Sequence, residues 1–243
     1  MIKKIVNSTL ELLNLHLVKV SSDSNRGNRF DYISAQETIE AAQKAGLSIC
    51  DYVEKLWNQV GETQNVIDNM QKLGVFEQEE PAICEIGAGT GRYMEKIIKI
   101  CSPSHYESYE SAHDWADWLQ KQFPIISQSA DGFSLKSTRD NSIDLIHSHG
   151  VFVYLKFLDT IRYFIDMTKK IKSNGFIVFD CYTEDCLLGE ILDNWLNSNH
   201  NYPSILPNEY IVQFFEKNRC KLLGNFFNPH GQGKSKYFVF QKK

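Results

Sequence analysis

Between residues 34 and 76 apolar positions recur at helical spacing in three stretches. SAQETIEAAQKAG opens with a capping box, Ser34 three residues ahead of Glu37, and closes at Gly46. LSICDYVEKLWNQVG keeps the same spacing as far as Gly61, and TQNVIDNMQKLGVF adds a short third helix. From Ala82 the pattern changes to alternating strands and helices. AICEI, HYESYE, PIISQSA, SIDLIHSHGVF and FIVFDCY read as strands. GRYMEKIIKIC, AHDWADWLQKQF and FLDTIRYFIDMTKKIKSNG, the last ending at Gly175, read as helices. Such alternation predicts an α/β fold with a doubly wound, mostly parallel sheet and helices on both faces. CKLLGNFF and SKYFVFQ near the end are separated only by NPHGQGK, too short for a crossover helix, so they pair as an antiparallel hairpin and complete seven strands. A helical insert spans 184–218. The predicted organisation is a helical cap or lid over 1–80 and an α/β domain over 81–243, with the insert contributing to a ligand pocket.

Composition narrows the class. With 243 residues, 42% hydrophobic and 23% charged, the chain suits one soluble α/β domain with a modest lid. A net charge of −4 offers no global attraction to nucleic acid or to an anionic membrane. Six scattered cysteines with no CxxC pair fit reduced thiols better than disulfides or a zinc site. The opening MIKKIVNSTLELLNLHLVKV is interrupted by Glu11, Asn14 and His16, so it reads as an amphipathic helix or a half-buried strand rather than a signal peptide. No apolar run is long enough to span a bilayer. The expected location is the cytoplasm.

The candidate chemistry starts at EIGAGTG. In a parallel sheet, ligands bind beyond the carboxyl ends of the strands, and Gly87, Ala88, Gly89 and Gly91 follow the first strand at such an end. Glycine there opens the backbone to a ligand, and the next helix aims its unpaired N–H groups at the same place. The dinucleotide fingerprint is G-x-G-x-x-G, whereas this turn is G-x-G-x-G with Arg92 in the sixth position. An acid, Glu85, precedes it, which would repel a pyrophosphate and suit a ligand carrying positive charge. GQGKS at Gly231 lacks the first glycine of a P-loop, where Asn228 stands, and leads into a strand rather than a helix.

E-x-G-x-G-x-G after a strand resembles the first motif of class I S-adenosylmethionine-dependent methyltransferases, and the terminal hairpin resembles that family's antiparallel last strand. The resemblance covers roughly residues 75–243. It implies a Rossmann-like sheet and S-adenosylmethionine as cofactor, a sulfonium cation without phosphate. It further implies cofactor contacts from Glu85, Gly87, Ala88, Gly89 and Gly91. Glu110 and Ser111 would meet the ribose, Asp131 and Gly132 the adenine, and Ser148 the methionine moiety. More narrowly, CEIGAGTGRYMEKI, DGFSLKST and HGVFVYL are similar to sugar O-methyltransferases.

Methyl transfer to a hydroxyl needs a group to take its proton. His149, at the mouth of the fourth strand, is the expected general base, with Tyr154, His200 and His230 in reserve. Asp180, Glu184 and Asp185 stand near the fifth strand, but His149 and Gly150 replace an acid at the end of the fourth, so no metal is expected. The expected partner is a small-molecule acceptor, a sugar or natural-product hydroxyl first, with NHNYPSILP as the loop facing it. Methyl transfer to nitrogen or carbon, and a module that binds the cofactor without turnover, are the alternatives. The sequence carries no sign of oligomeric state.

Overall fold

The computed structural model describes residues 34–57, 59–197, 204–230 and 233–243. The segment 1–20, Phe30, Tyr32, His200 and Tyr202 lie outside the described residues.

Among the described residues three helices come first: α1 Ala35–Ala45, α2 Ile49–Trp57 and α3 Glu62–Lys72. The Ser34 hydroxyl accepts the Glu37 N–H at the start of α1, and Gly46 closes it at φ 65°, both where the sequence pattern places them. Then follow β1 Ala82–Ile86, α4 Arg92–Cys101, β2 His105–Tyr109, α5 His113–Gln122, β3 Ile126–Ser127, β4 Ile143–Ser148, α6 Phe157–Lys170 and β5 Ile171–Cys181. A 3-10 turn over Glu184–Cys186, α7 Glu190–Asn197 and α8 Asn208–Lys217 lead to β6 Cys220–His230 and β7 Gly233–Lys242.

The seven strands are ordered β3-β2-β1-β4-β5-β7-β6. The first five run parallel, and β7 inserts antiparallel between β5 and β6. The hairpin is longer than expected: Asn228, Pro229 and His230 belong to its ladder, opposite Ser235, Lys234 and Gly233. Proline is tolerated there because β6 is an edge strand. A second difference concerns α6, which ends at Lys170 rather than Gly175. Ile171 already pairs with Ile143 in β5, followed by a register shift. Gly175 serves that shift, since a Cβ on it would stand 2.9 Å from the Asp144 carbonyl oxygen.

Alternation along β1 divides the core between the two faces of the sheet. Cys84 and Ile86 face one cluster, with Phe164 and Met167 of α6, Phe179 of β5, Phe215 of α8 and Phe240 of β7. Ile83 faces the other, with Val66, Ile67 and Met70 of α3, Met94 and Ile97 of α4, and Val239 of β7. Two expectations change accordingly. Helix α3 is a layer of the sheet's own core, so the cap expected over 1–80 does not extend to it. Helix α8, expected in an acceptor-facing insert, packs Ile211 and Phe215 into the first cluster. All six cysteines are free. Among the described residues no helix is long and apolar enough to cross a membrane.

Candidate functional site

The turn after β1 lies at the carboxyl edge of the sheet. Gly87, Gly89 and Gly91 all have positive φ, 68°, 52° and 74°. Gly87 is doubly constrained, because a Cβ there would also collide with a methyl of Val151 in the loop after β4. Its N–H donates to the Tyr109 carbonyl at 2.8 Å, tying the turn to the end of β2. At Gly89 a Cβ would meet nothing within 4 Å, so this part of the turn faces open space.

Glu110 follows β2 and folds back over the turn. One carboxylate oxygen accepts the Gly89 N–H at 2.8 Å and the other accepts the Ala112 N–H at 2.9 Å. Each oxygen keeps a further lone pair, so the carboxylate can receive two vicinal hydroxyls beside the open glycine. Ser111 is exposed next to it, and Ala88 is buried. These features fit the nucleoside of S-adenosylmethionine: a cradle bare of side chains, a diol acceptor and no phosphate to repel.

Other expected contacts are engaged elsewhere. One oxygen of Asp131 accepts the N–H groups of Phe133 and Ser134, at 3.1 and 2.8 Å, and the other accepts the Ser134 hydroxyl at 2.6 Å. Its carboxylate shapes its own loop, in which Gly132, at φ 83°, leaves open space. Ser148 is fully buried and donates to the Ile86 carbonyl at 3.1 Å, holding the tips of β1 and β4 together.

Glu85 departs from its expected place. It points to the α3–α4 face of the sheet, 1% exposed, and its carboxyl accepts the Tyr106 hydroxyl at 2.7 Å. Burial pushes its pKa up to about 8, against the opposing effect of the Tyr106 hydrogen bond. At neutral pH it is largely an uncharged acid, so the expected counter-ion for a cationic ligand is not provided there.

His149 also turns inward. Its Nε2 lies 3.0 Å from His147 Nδ1, its Nδ1 lies 3.3 Å from the Tyr237 hydroxyl, and its ring stacks on Tyr93 with centroids 3.6 Å apart. Burial lowers its pKa well below the usual histidine range, with further contributions from His147 and Arg92. Both nitrogens are committed to interior partners, so it does not offer the free lone pair expected of a base at the mouth of β4.

The reserve residues do come together at that mouth. Tyr154, in the loop after β4, and His230, at the tip of β6, lie 3.1 Å apart between Oη and Nε2. His230 Cε1 lies 3.6 Å from where a Cβ on Gly150 would stand, so the hairpin tip reaches across the carboxyl edge to β4. Both residues are partly exposed. Alongside lies a small cluster of Val153, Tyr182, Cys186 and Trp195. The Gly150 N–H donates to Asp180 at 2.7 Å; Asp180 is buried, which raises its pKa to about 6. Asp185 pairs with Lys236, and Glu184 accepts the Asn208 N–H at the start of α8. Among the described residues no group of three or more histidine, cysteine or acidic side chains could hold a metal ion. Sequence reasoning missed Tyr93, Tyr106 and Tyr237; each reads locally as an ordinary residue of its helix or strand.

No protein-family model matches the sequence, and neither does any curated protein sequence. Solved structures do resemble it. Magnesium protoporphyrin IX methyltransferase from Synechocystis PCC 6803, with bound S-adenosylhomocysteine (SAH), superposes over 88% of this chain and 89% of its own, with TM-score 0.58 and 8% identity. Geranyl diphosphate methyltransferase, in complex with GPP and sinefungin, covers 73% of this chain and 77% of its own at TM-score 0.55 and 9% identity. A SAM-dependent methyltransferase from Methanosarcina mazei covers 73% and 96% at TM-score 0.54 and 12% identity. Strand order, the antiparallel β7 and these likenesses agree: the chain has the Rossmann-like fold of the class I S-adenosylmethionine-dependent methyltransferases.

Proposed function

We propose that the protein is an enzyme that transfers a methyl group from S-adenosylmethionine to a small-molecule acceptor, a hydroxyl of a sugar or natural product first among them. The observation that carries this reading is Glu110 folded over the open glycine turn, a carboxylate beside a bare backbone cradle. The methyltransferase fold supports it. When bound, the cofactor supplies an electrophilic methyl group on its sulfonium.

The residues of the chain would divide the remaining work. Gly87, Ala88, Gly89 and Gly91 shape the cradle, Glu110 and Ser111 meet the ribose, and the loop of Asp131 and Gly132 borders the base. Ser148 keeps the tips of β1 and β4 in register. Since His149 is committed inside, the proton of the acceptor falls to Tyr154 and His230: the tyrosine oxygen takes it while passing its own proton to His230 Nε2. The buried cluster of Val153, Tyr182 and Trp195 packs behind Tyr154 and His230 and holds the pair in place. The net charge of −4 and the free thiols favour a small cytoplasmic substrate over nucleic acid.

Calorimetry with SAH tests the cofactor half of the reading. Binding by the wild type and a loss of tenfold or more in Glu110→Ala are expected; no binding by the wild type overturns it. Transfer of isotope-labelled methyl across hydroxyl, amine and carbon acceptors tests the other half. Tyr154→Phe and His230→Gln should each lower turnover about a hundredfold with SAH affinity unchanged. Product fragmentation that locates the label on nitrogen or carbon would replace the hydroxyl acceptor.

A further inference from the structure

A run of buried polar side chains begins and ends on the two flanks of the glycine turn. Glu85 stands two residues before Gly87, and Tyr93 two residues after Gly91. Between them the contacts pass through three other strands. Tyr106 of β2 meets Glu85 at 2.7 Å and His147 Nε2 at 2.9 Å. His147 and His149, on and just after β4, meet at 3.0 Å. His149 meets Tyr237 of β7 at 3.3 Å, and Tyr237 meets Tyr93 at 3.4 Å. None of the six is more than 8% exposed.

Every contact along this chain can be matched with a donor and an acceptor. A neutral imidazole has one donor and one acceptor nitrogen, and a tyrosine hydroxyl can donate once while accepting. With Tyr106 donating to a Glu85 oxygen, one consistent order uses every contact: Tyr93 to Tyr237, Tyr237 to His149 Nδ1, His149 Nε2–H to His147 Nδ1, His147 Nε2–H to Tyr106, and Tyr106 to Glu85. Burial holds both histidines neutral, His147 down to about 3, as this order requires. A buried network is sensitive to any missing member, because the orphaned groups have no water to turn to.

We propose that this chain is a brace that holds the Gly87–Gly91 turn against β4 and β7, with Glu85 serving as its terminal hydrogen-bond acceptor and not as the counter-ion of a cationic ligand. Its link to function is direct. The brace fixes the stem of the cradle and, through His149, the chain next to Gly150 just beyond β4, whose loop packs against the turn at Val151. Glu85, Tyr106 and His147 are therefore positioning residues. The inference rests on the methyl-donor reading only in naming what the crevice holds.

Amide hydrogen exchange without cofactor tests the brace. Tyr106→Phe removes the link between Glu85 and His147 while leaving the turn untouched. It should speed exchange at the Gly87, Gly89 and Gly91 amides by tenfold or more, with the amides of α6 unchanged. Glu85→Gln keeps an acceptor oxygen for Tyr106 and should match the wild type. Unaltered turn protection in Tyr106→Phe overturns the brace. So do side-chain 15N shifts that find His147 or His149 protonated at pH 6. SAH titration then reads Glu85 itself: Glu85→Gln should bind within twofold of the wild type. A tenfold loss with its histidine shifts intact would make Glu85 a ligand contact and sink the assignment. If the wild type binds no SAH, the methyl-donor reading falls, and the exchange rates still decide the brace.

Discussion

Glu85 and Glu110 are both acids at the carboxyl ends of neighbouring strands, yet their surroundings give them opposite chemistry. Glu110 receives two backbone N–H groups at the edge of open space, whereas Glu85 is enclosed and retains a proton. The sign of the resulting pH effect follows from linkage. A folded-state pKa of about 8, raised above the usual carboxyl value, means the native protein holds a proton that the unfolded chain has released. This contribution to stability is complete at pH below the unfolded value and is lost as pH rises toward 8. Between pH 6.5 and 8 unfolding free energy should fall by up to about 1.4 kcal/mol per pH unit. Urea titrations of Glu85→Gln should lack that decline, and an identical slope in both proteins would contradict it. Gly87 makes a second test at this scale. Gly87→Ala must hold positive φ and displace Val151, so a loss of about 1–2 kcal/mol is expected in the same titrations.

At the scale of elements, the end of α6 and the tip of the hairpin depart most from their sequence patterns. The apolar periodicity of FLDTIRYFIDMTKKIKSNG runs on smoothly, and Gly175 looks like a helix stop. In the fold, Lys169 and Lys170 instead accept N–H groups from Asn141 and Ser142, and the chain enters β5 at once. Gly175→Ala would press its Cβ against the Asp144 carbonyl, a backbone atom that cannot swing aside. A stability loss of about 1–3 kcal/mol is expected, with SAH affinity unchanged. Asn228–His230 likewise look like loop residues, since asparagine and proline are turn signals. Their pairing with β7 brings His230 to Gly150, a contact that no local pattern announces.

For the whole molecule, the insertion of β7 between β5 and β6 links the far end of the chain to the site. It supplies Tyr237 to one face of the sheet and Phe238 and Phe240 to the other. Phe215 of α8 lies on the latter face, with ring centroids 5.0, 5.4 and 4.4 Å from Phe164, Phe179 and Phe240. Phe215→Ala should therefore lower unfolding free energy by about 3–5 kcal/mol, measured in denaturant. A loss below 1 kcal/mol would return α8 to a peripheral insert. The sequence by itself determined the alternation of strands and helices, the bare turn after β1, the acid that follows β2 and the terminal hairpin. These depend on periodicity and on backbone requirements confined to a few neighbouring residues. Only the tertiary structure decided that Glu85 and His149 face inward, that α3 belongs to the core and that Tyr154 meets His230. Those outcomes depend on strand order, which brings together side chains 21 to 144 residues apart, a separation that local patterns cannot register.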